Sequence, residues 1–177
     1  MFALHTIQEM RESAVAVFDS DTVGGRVSVL NDAQIGRQIY TIIDVDLHRL
    51  APSQRYSLQV HARGDMRAPK CLGERIGPTV AAWRNAQPSR ETGKRTAFSN
   101  ALVGQLCSDA AGNLRAAFLI DQRHEKLALC ALFGRTLALH DCIGGIVDCE
   151  PIGRADRSIT LGRLLQQQRL INVARLT

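Results

Sequence analysis

The chain has 177 residues, of which 45% are hydrophobic and 22% charged, and this suits one globular domain that can bury a core without metals or many disulfides. No apolar run reaches membrane-spanning length, and residues 1–10 lack the basic start and apolar stretch of a secretory signal, so we expect a protein of intracellular origin with neither a transmembrane segment nor a signal peptide. The net charge of +5 comes from scattered arginines, and with only 5% aromatic residues and no recognised motif it argues against nucleic-acid binding.

Short β-rich runs follow one another along the chain after an N-terminal extension, residues 1–12. The first two runs flank a turn over Ser20–Gly24, where the paired glycines Gly24 and Gly25 permit positive φ. The predicted runs are 13–19, 25–30, 38–46, 58–65, 102–107, 114–120 and 135–140. Short strands at this spacing, without alternating helices, predict an all-β sandwich or barrel.

Two further segments do not follow the strand pattern. Residues 66–100 show no periodicity, contain several prolines and glycines and hold no histidine, and irregular segments of this length are usually functional or mobile. In the C-terminal extension, residues 158–177, Leu161, Leu164, Leu165 and Ile171 share one side of a possible helix. We expect this extension to add packing to the sandwich, and an exposed helix for a partner is the alternative.

The run Leu58–Asp65 is the most informative stretch of the sequence. Residues two apart on a strand share a face, so positions 59 and 61 would suit a pair of metal ligands. One of these positions is His61, but the other is Gln59. The pattern therefore has the geometry of a metal-binding strand with one ligand missing.

Two blocks of sequence resemble the copper-zinc superoxide dismutase family. The first, Gln59-Val60-His61 with Gly64-Asp65, Cys71 and Gly77-Pro78-Thr79, resembles the family's copper strand and the loop after it, and the second, residues 134–140, resembles the strand that carries the last copper histidine, here His140. A weaker match, residues 102–106, resembles the end of the family's zinc loop. The resemblance spans roughly residues 13–153 and implies a Greek-key sandwich or barrel of about eight antiparallel strands over residues 13–157.

The resemblance also indicates which metal ligands are lost. His61 and His140 keep two copper positions, Gln59 and Thr79 replace two others, and two zinc positions are taken by Leu102 and Gln105. Two imidazoles do not hold a redox-poised copper, and glutamine, threonine and leucine do not complete a zinc site. We therefore expect no catalytic residue and no cofactor. His61 and His140 would be a hydrogen-bonded remnant of the pocket or would bind one copper ion weakly.

Five cysteines without a C-x-x-C pair argue against a zinc knuckle or a thioredoxin-like motif. The resemblance implies a disulfide between Cys71 and Cys149, and buried, reduced thiols are the alternative that an intracellular protein favours. Cys107, Cys130 and Cys142 are expected to be small core residues. A copper(I) site of His61, His140 and Cys142 is chemically reasonable but less favoured. His5, His48 and His124 are expected on the surface or in turns.

The elements that attract superoxide in the family are also missing here. Few residues separate His140 from Cys149, which leaves no room for the family's charged loop, and Ile146 stands where the family has a rim arginine. The closest likeness is to the enzymatically inactive poxvirus superoxide dismutase-like proteins, some of which have been proposed as decoys of the host copper chaperone. The alternative is a copper-only dismutase with a rebuilt site.

That likeness implies a location in the virion and the host cytoplasm, and a partner surface near the disulfide. The partner would be the copper chaperone for superoxide dismutase in a heterodimer, or a second copy in a homodimer, and not a membrane. The candidate contact residues lie in Gly64–Cys71 and Glu150–Gly153. They are Gly64, Asp65, Cys71, Ile152 and Gly153.

Overall fold

The computed structural model describes residues 12–35, 37–67, 70–80, 101–123 and 128–156. These residues contain nine strands and two short helical segments. The strands are β1 (Glu12–Asp19), β2 (Gly24–Ile35), β3 (Gln38–His48), β4 (Arg55–His61), β5 (Ala101–Cys107), β6 (Leu114–Asp121), β7 (Thr136–Asp141), β8 (Ile146–Pro151) and β9 (Gly153–Asp156). Helix α1 is Gly73–Ile76, and a 3-10 turn covers Leu129–Ala131.

The strands form two antiparallel sheets. One sheet has the order β6-β3-β2-β1-β9, and the other has the order β5-β4-β7-β8. The chain passes from the first sheet to the second after β3 and returns for β6. It crosses again for β7 and β8 and finishes in the first sheet with β9 beside β1. The expectation of an all-β sandwich is confirmed.

The main core lies between the two sheets, and the alternation of side chains along each strand explains it. On β1 the inward residues Ala14, Ala16 and Phe18 are each 1% exposed, whereas Val17 on the opposite face is 57% exposed. Inward side chains of β4 and β7, including Leu58 and Leu139, meet them from the second sheet. Burial of these apolar side chains is the dominant stabilising term of such a fold.

The turn between β1 and β2 follows the glycine prediction. The backbone N–H of Ser20 donates to Val23 O at 3.0 Å. Gly25 has φ +116°, and a Cβ at this position would lie 2.0 Å from the carbonyl oxygen of Asp46 on β3. Position 25 therefore needs glycine both for its backbone conformation and for the approach of β3.

Strand β4 ends at His61, not at Asp65 as the alternation predicts. After His61 the backbone N–H groups of Ala62 and Arg63 donate to Pro78 O and Ile76 O at 3.0 and 2.8 Å. The chain thus leaves the strand and pairs with its own returning segment. This loop, residues 62–80, covers the outer face of the second sheet, where Ile76 packs on Ala138 and Cys149.

The three remaining cysteines are not core residues. Cys107, Cys130 and Cys142 are exposed free thiols, so their expected burial is wrong. Cys107 is the last residue of β5, and Cys142 follows the end of β7. Cys107 is exposed because it follows the buried Leu106 and shares the outward face of the exposed Gln105. His48, at the end of β3, is exposed as expected, while His5 and His124 lie outside the described residues.

Three segments singled out in the sequence also lie outside the described residues: the N-terminal extension through residue 11, residues 81–100 of the irregular segment, and the C-terminal extension from residue 158. Within the described ranges, no helix has the length and apolar character needed to cross a membrane.

Candidate functional site: the histidine pair and the disulfide loop

Strands β4 and β7 bring His61 and His140 together on the outer face of the second sheet. The two strands are adjacent, with His61 opposite Thr136 and Ser57 opposite His140. Both histidines alternate with core residues of their own strands and are 5% and 6% exposed. The loop over residues 62–80 and the turn after β7 close over them, so both rings are buried outside the main core.

The Nδ1 atom of each ring faces a backbone carbonyl oxygen. His61 Nδ1 lies 2.7 Å from Gly77 O, and His140 Nδ1 lies 3.1 Å from Gly144 O. Because a carbonyl oxygen only accepts hydrogen bonds, each Nδ1 carries a hydrogen and donates it. Gly77 ends helix α1 with φ +73°, and Gly144 has φ +88°, so glycines place both acceptors.

The Nε2 atoms of the two rings then meet each other. They lie 3.1 Å apart, with the rings parallel within 6° and their centroids 5.3 Å apart. Two neutral rings supply two hydrogens, and both are used at Nδ1, so a hydrogen bond between the Nε2 atoms needs one more proton. Both Nε2 atoms have a partner when one positive charge, either a proton or a metal ion, lies between them.

Beyond its two Nδ1 hydrogens, the histidine pair does not readily bind two further protons. Burial lowers the pKa of His61 below its ordinary value of 6.5, the Gly77 carbonyl raises it, and His140 lowers it further. Desolvation and the neighbouring ring both disfavour a charge on His61.

The other positions matched to family ligands do not offer strong metal donors. Gln59 is half-buried on β4 and its amide Nε2 lies 3.4 Å from Ser57 Oγ, while Thr79 forms an isolated β-bridge with His61. Leu102 is 1% exposed in the main core. Gln105 is exposed on β5. Beside two imidazoles, an amide, a hydroxyl and an alkyl group do not fit a copper centre of four histidines or a tetrahedral zinc site.

A tight turn joins β7 to β8 beside His140. Asp141 organises it by accepting from the backbone N–H of Ile143 and of Gly145 at 3.0 and 2.7 Å. Ile146 pairs with His140 in the ladder and is half-buried. The space above His140 is thus bounded by a short turn and an apolar side chain, neither of which attracts an anion.

The disulfide between Cys71 and Cys149 is present, with the two Cα atoms 5.6 Å apart. It joins the loop over residues 62–80 to β8 next to the histidine pair. An ion pair between Lys70 and Glu150, 3.1 Å long, lies beside it. The alternative of two reduced thiols is therefore wrong.

Asp148, one residue before the bridged Cys149, is a buried carboxylate with several partners. Its Oδ2 accepts from Ser20 Oγ at 2.6 Å, and its Oδ1 accepts from the Cys149 backbone N–H at 2.8 Å. The residue is 6% exposed. It therefore ties the turn between β1 and β2 to the disulfide strand.

The candidate partner residues do not form one exposed patch. Gly64 is exposed but packs closely, since a Cβ there would lie 2.3 Å from Gly134 O. Asp65 pairs with Arg67 at 2.5 Å, and hydrogen bonds from Arg67 hold the pKa of this carboxyl well below its usual range. Ile152 is 5% exposed and belongs to the main core, so its side chain does not present a surface to a partner.

The remaining two candidates are accessible: Cys71 is half-buried and Gly153 is exposed. Cys142 is exposed and one residue past the end of β7.

The carbonyls of Gly77 and Gly144, which orient the two histidine rings, were not predicted from the sequence. The available signals for these two carbonyls were the glycines themselves: Gly77 follows Ile76, and Gly144 lies in the short turn after β7.

Comparisons with known proteins give a structural likeness only. No protein-family model matches the sequence, and no curated protein matches it either. Among solved structures the chain is similar to the one described as "Crystal Structure Analysis of the clock protein EA4", with a TM-score of 0.55 and 19% sequence identity. The match covers 81% of this chain and 95% of that chain. At this identity the likeness shows a shared fold.

Proposed function

We propose that this chain is a catalytically inactive superoxide dismutase-like protein that acts by binding a partner. The observation that carries the proposal is the direct contact of His61 and His140, whose Nε2 atoms lie 3.1 Å apart. At the positions where further ligands would complete a copper site, the chain has Gln59 and Thr79. Each histidine serves as the other's partner.

Dismutation makes demands that these residues meet poorly. A copper ion that alternates between two oxidation states needs a defined set of imidazole ligands and an open position for the substrate. Two histidines alone would leave most of the copper coordination sphere to weak donors. Among the described residues, the turn over Asp141–Gly145 and the apolar Ile146 contribute no cation of their own beside His140 to attract superoxide.

The partner surface in this proposal is the loop around the disulfide. Its accessible features are the half-buried Cys71, the Lys70 side chain that pairs with the buried Glu150, and the pair of Asp65 with Arg67. The family resemblance assigns the corresponding surface to pairing with a second copy or with the copper chaperone for superoxide dismutase. On that basis the protein acts as a decoy for the chaperone, in the virion and the host cytoplasm.

A capture experiment tests the partner. The tagged chain is mixed with purified copper chaperone, with and without a reductant that opens the Cys71–Cys149 bridge, and the Cys71→Ser variant is compared with Cys107→Ser. Cys107 is a free exposed thiol distant in sequence from the loop, so it controls for nonspecific thiol chemistry. The proposal expects retention that Cys71→Ser abolishes and Cys107→Ser does not. Equal retention by both variants, or none by the wild type, would reject the decoy role.

A copper-only dismutase is the second candidate, and one observation favours it. Both Nδ1 atoms donate to backbone carbonyls, which is how proteins orient histidines that present Nε2 to a metal. A copper ion bound there would take His61 and His140 as ligands. Metal content and superoxide removal by the same sample separate the two candidates.

A further inference from the structure

The two sheets formed by the described residues have four edge strands, and three of these strands carry features that discourage pairing with another chain. The edge strands are β6 and β9 in the first sheet and β5 and β8 in the second. β9 has only four residues, β5 has irregular register against β4, and β8 has irregular register against β7 and ends at Pro151. Short strands, bulges and prolines are common means by which proteins protect a sheet edge.

Strand β6 lacks these protective features. It has eight residues without a proline, and all eight pair with β3 in an uninterrupted register, from Leu114 opposite Leu47 to Asp121 opposite Tyr40. A long, regular edge is a template on which a further strand can pair. Of the four described edges, β6 is therefore the one best suited to bind an extended segment.

The hydrogen-bonding pattern shows which backbone groups of β6 face the open edge. The backbone N–H of Gln122 donates to Ile39 O at 3.1 Å, so these two residues, one step past the end of β6, form a hydrogen-bonded pair. Such pairs alternate along an antiparallel ladder, so the even-numbered residues of β6 bond to β3. The backbone groups of the odd-numbered residues point the other way, and these residues are Arg115, Ala117, Leu119 and Asp121.

These outward groups form an unpaired stretch within the described part of the chain. There, the backbone N–H and C=O groups of Arg115, Ala117 and Leu119 have no hydrogen-bond partner on the side away from β3. Their side chains point to the outer face of the sheet, where Ala117 is 8% exposed, whereas their backbone groups lie in the plane of the sheet. Burial of that face therefore does not satisfy the groups at the edge.

We propose that β6 pairs antiparallel with β6 of a second copy of this chain, about a twofold axis at Phe118. A twofold axis makes each contact occur twice, once from each copy. With the axis at Phe118, Arg115 lies opposite Asp121 of the second copy, and Ala117 lies opposite Leu119. Every outward backbone group then lies opposite another outward group, so the two strands exchange N–H···O=C hydrogen bonds.

The charges select this register over its neighbours. An axis at position 117 would place Arg115 opposite Leu119, and an axis at position 119 would place Arg115 opposite Arg123. Of these three registers, the one about Phe118 alone places opposite charges across from each other, and the symmetry repeats the pair. Opposite charges directly across a strand pair stabilise it, whereas like charges destabilise it.

Both charged side chains can join this pairing and keep the partners they have in their own chain. The Arg115 side chain is 66% exposed and pairs with Asp46 at 3.4 Å. Asp121 accepts from Arg123 at 3.0 Å, and a carboxylate has lone pairs for a second donor. The β6 edge belongs to the first sheet and the disulfide loop covers the second, so this proposal does not depend on the proposed function.

Charge reversal in the full chain tests the pairing by sedimentation velocity at several protein concentrations. The wild type should form a dimer as its concentration rises. Arg115→Glu and Asp121→Arg each place like charges across the edge, so each variant alone should dimerise roughly tenfold or more weakly. When the two variants are mixed, opposite charges meet at both positions, so the mixture should recover the wild-type affinity.

Two further comparisons separate pairing at β6 from general effects of charge and folding. Asp19→Arg and Arg49→Glu reverse an exposed ion pair away from β6, so these variants, alone or mixed, should dimerise as the wild type does. Ala117→Pro removes an outward N–H that β3 does not use, so the variant should keep its fold, judged by far-ultraviolet circular dichroism, and lose the dimer.

Three results would overturn the proposal. The first is a wild-type chain that stays monomeric at every concentration, because the edge is then satisfied within one copy or by water. The second is a dimer that neither charge reversal weakens, or that the mixed variants do not restore. The third is a dimer that reduction of the disulfide abolishes and the β6 variants leave intact, which would place the interface at the disulfide loop.

Discussion

His61 and His140 donate through Nδ1 to the carbonyls of Gly77 and Gly144 and turn their Nε2 atoms toward each other, 3.1 Å apart. The contact joins two strands across 79 positions of sequence. The two carbonyls satisfy both Nδ1 atoms of these buried rings, and the Nε2 atoms are left facing each other.

Acid should destabilise the fold through His61. Its pKa is lowered in the folded state from 6.5, chiefly by burial, so the unfolded chain binds more protons as the pH falls through 6.5. The stability that neutral His61 contributes is complete above pH 6.5 and is lost as the pH falls toward the folded pKa. Urea unfolding at several pH values between 5 and 8 should show this slope, and His61→Gln should reduce it. His48→Gln, at an exposed histidine, should leave it intact, and a slope that is the same in all three chains would contradict the assignment.

Reduction of the disulfide should lower stability substantially. Cys71 and Cys149 are separated by 78 positions, and closing a loop of that length is worth about 4 kcal/mol in the chain-entropy model. Cys71→Ser should therefore lower the unfolding midpoint to the value of the reduced wild type, measured by urea unfolding. Cys107→Ser should behave as wild type. A reduced chain as stable as the oxidised one would show that the bridge does not constrain the unfolded state.

Strand alternation and turn glycines were enough to predict most of the sandwich. β1, β3 and β6 follow their predicted runs closely, and on β1 buried and more exposed residues alternate from Ala14 to Phe18. The end of β4 at His61 was not predictable, because it depends on hydrogen bonds from Ala62 and Arg63 to Pro78 and Ile76, which come later in the same loop. The nine strands seen exceed the expected eight, and strand order required the three-dimensional pairing.

The site was only partly accessible from the sequence. Gln59 and His61 were placed correctly on one face by the period of a strand, and the resemblance supplied the Cys71–Cys149 bridge. The contact of the two Nε2 atoms depends on strand register and ring orientation, which no local pattern contains. The exposure of Cys107 was missed because cysteine is often buried, whereas the alternation along β5 places Cys107 on the outward face opposite to Leu106.

Removing Asp148 should weaken the attachment of the turn between β1 and β2. Asp148→Ala leaves Ser20 Oγ and the Cys149 backbone N–H without their acceptor, at a cost of about 1–3 kcal/mol in free energy of unfolding. Asp19→Ala, which removes a 94% exposed carboxylate, is the matched control and should cost almost nothing. Urea unfolding measures the loss of stability in both variants. Equal losses would show that burial of the Asp148 carboxylate does not determine its contribution to stability.

Restoring the lost ligands should restore copper binding. Gln59→His with Thr79→His adds two imidazoles next to His61, one on the same strand face and one at the β-bridge. The double variant should bind copper more tightly than wild type by isothermal titration calorimetry, and His140→Ala should abolish the gain. Gln38→His, at an exposed residue of β3 in the other sheet, is the control for added imidazole. If the double variant binds copper no better than wild type, the missing ligands are not the limiting deficit.

The most direct test of inactivity measures metal content and superoxide removal on one sample of the wild-type chain, produced with excess copper and zinc and then freed of loosely held ions. The proposed inactivity predicts metal far below one equivalent per chain and superoxide decay no faster than the spontaneous reaction. One copper per chain, with turnover near the diffusion limit of about 10⁸–10⁹ M⁻¹s⁻¹ that disappears in both His61→Ala and His140→Ala, would contradict it.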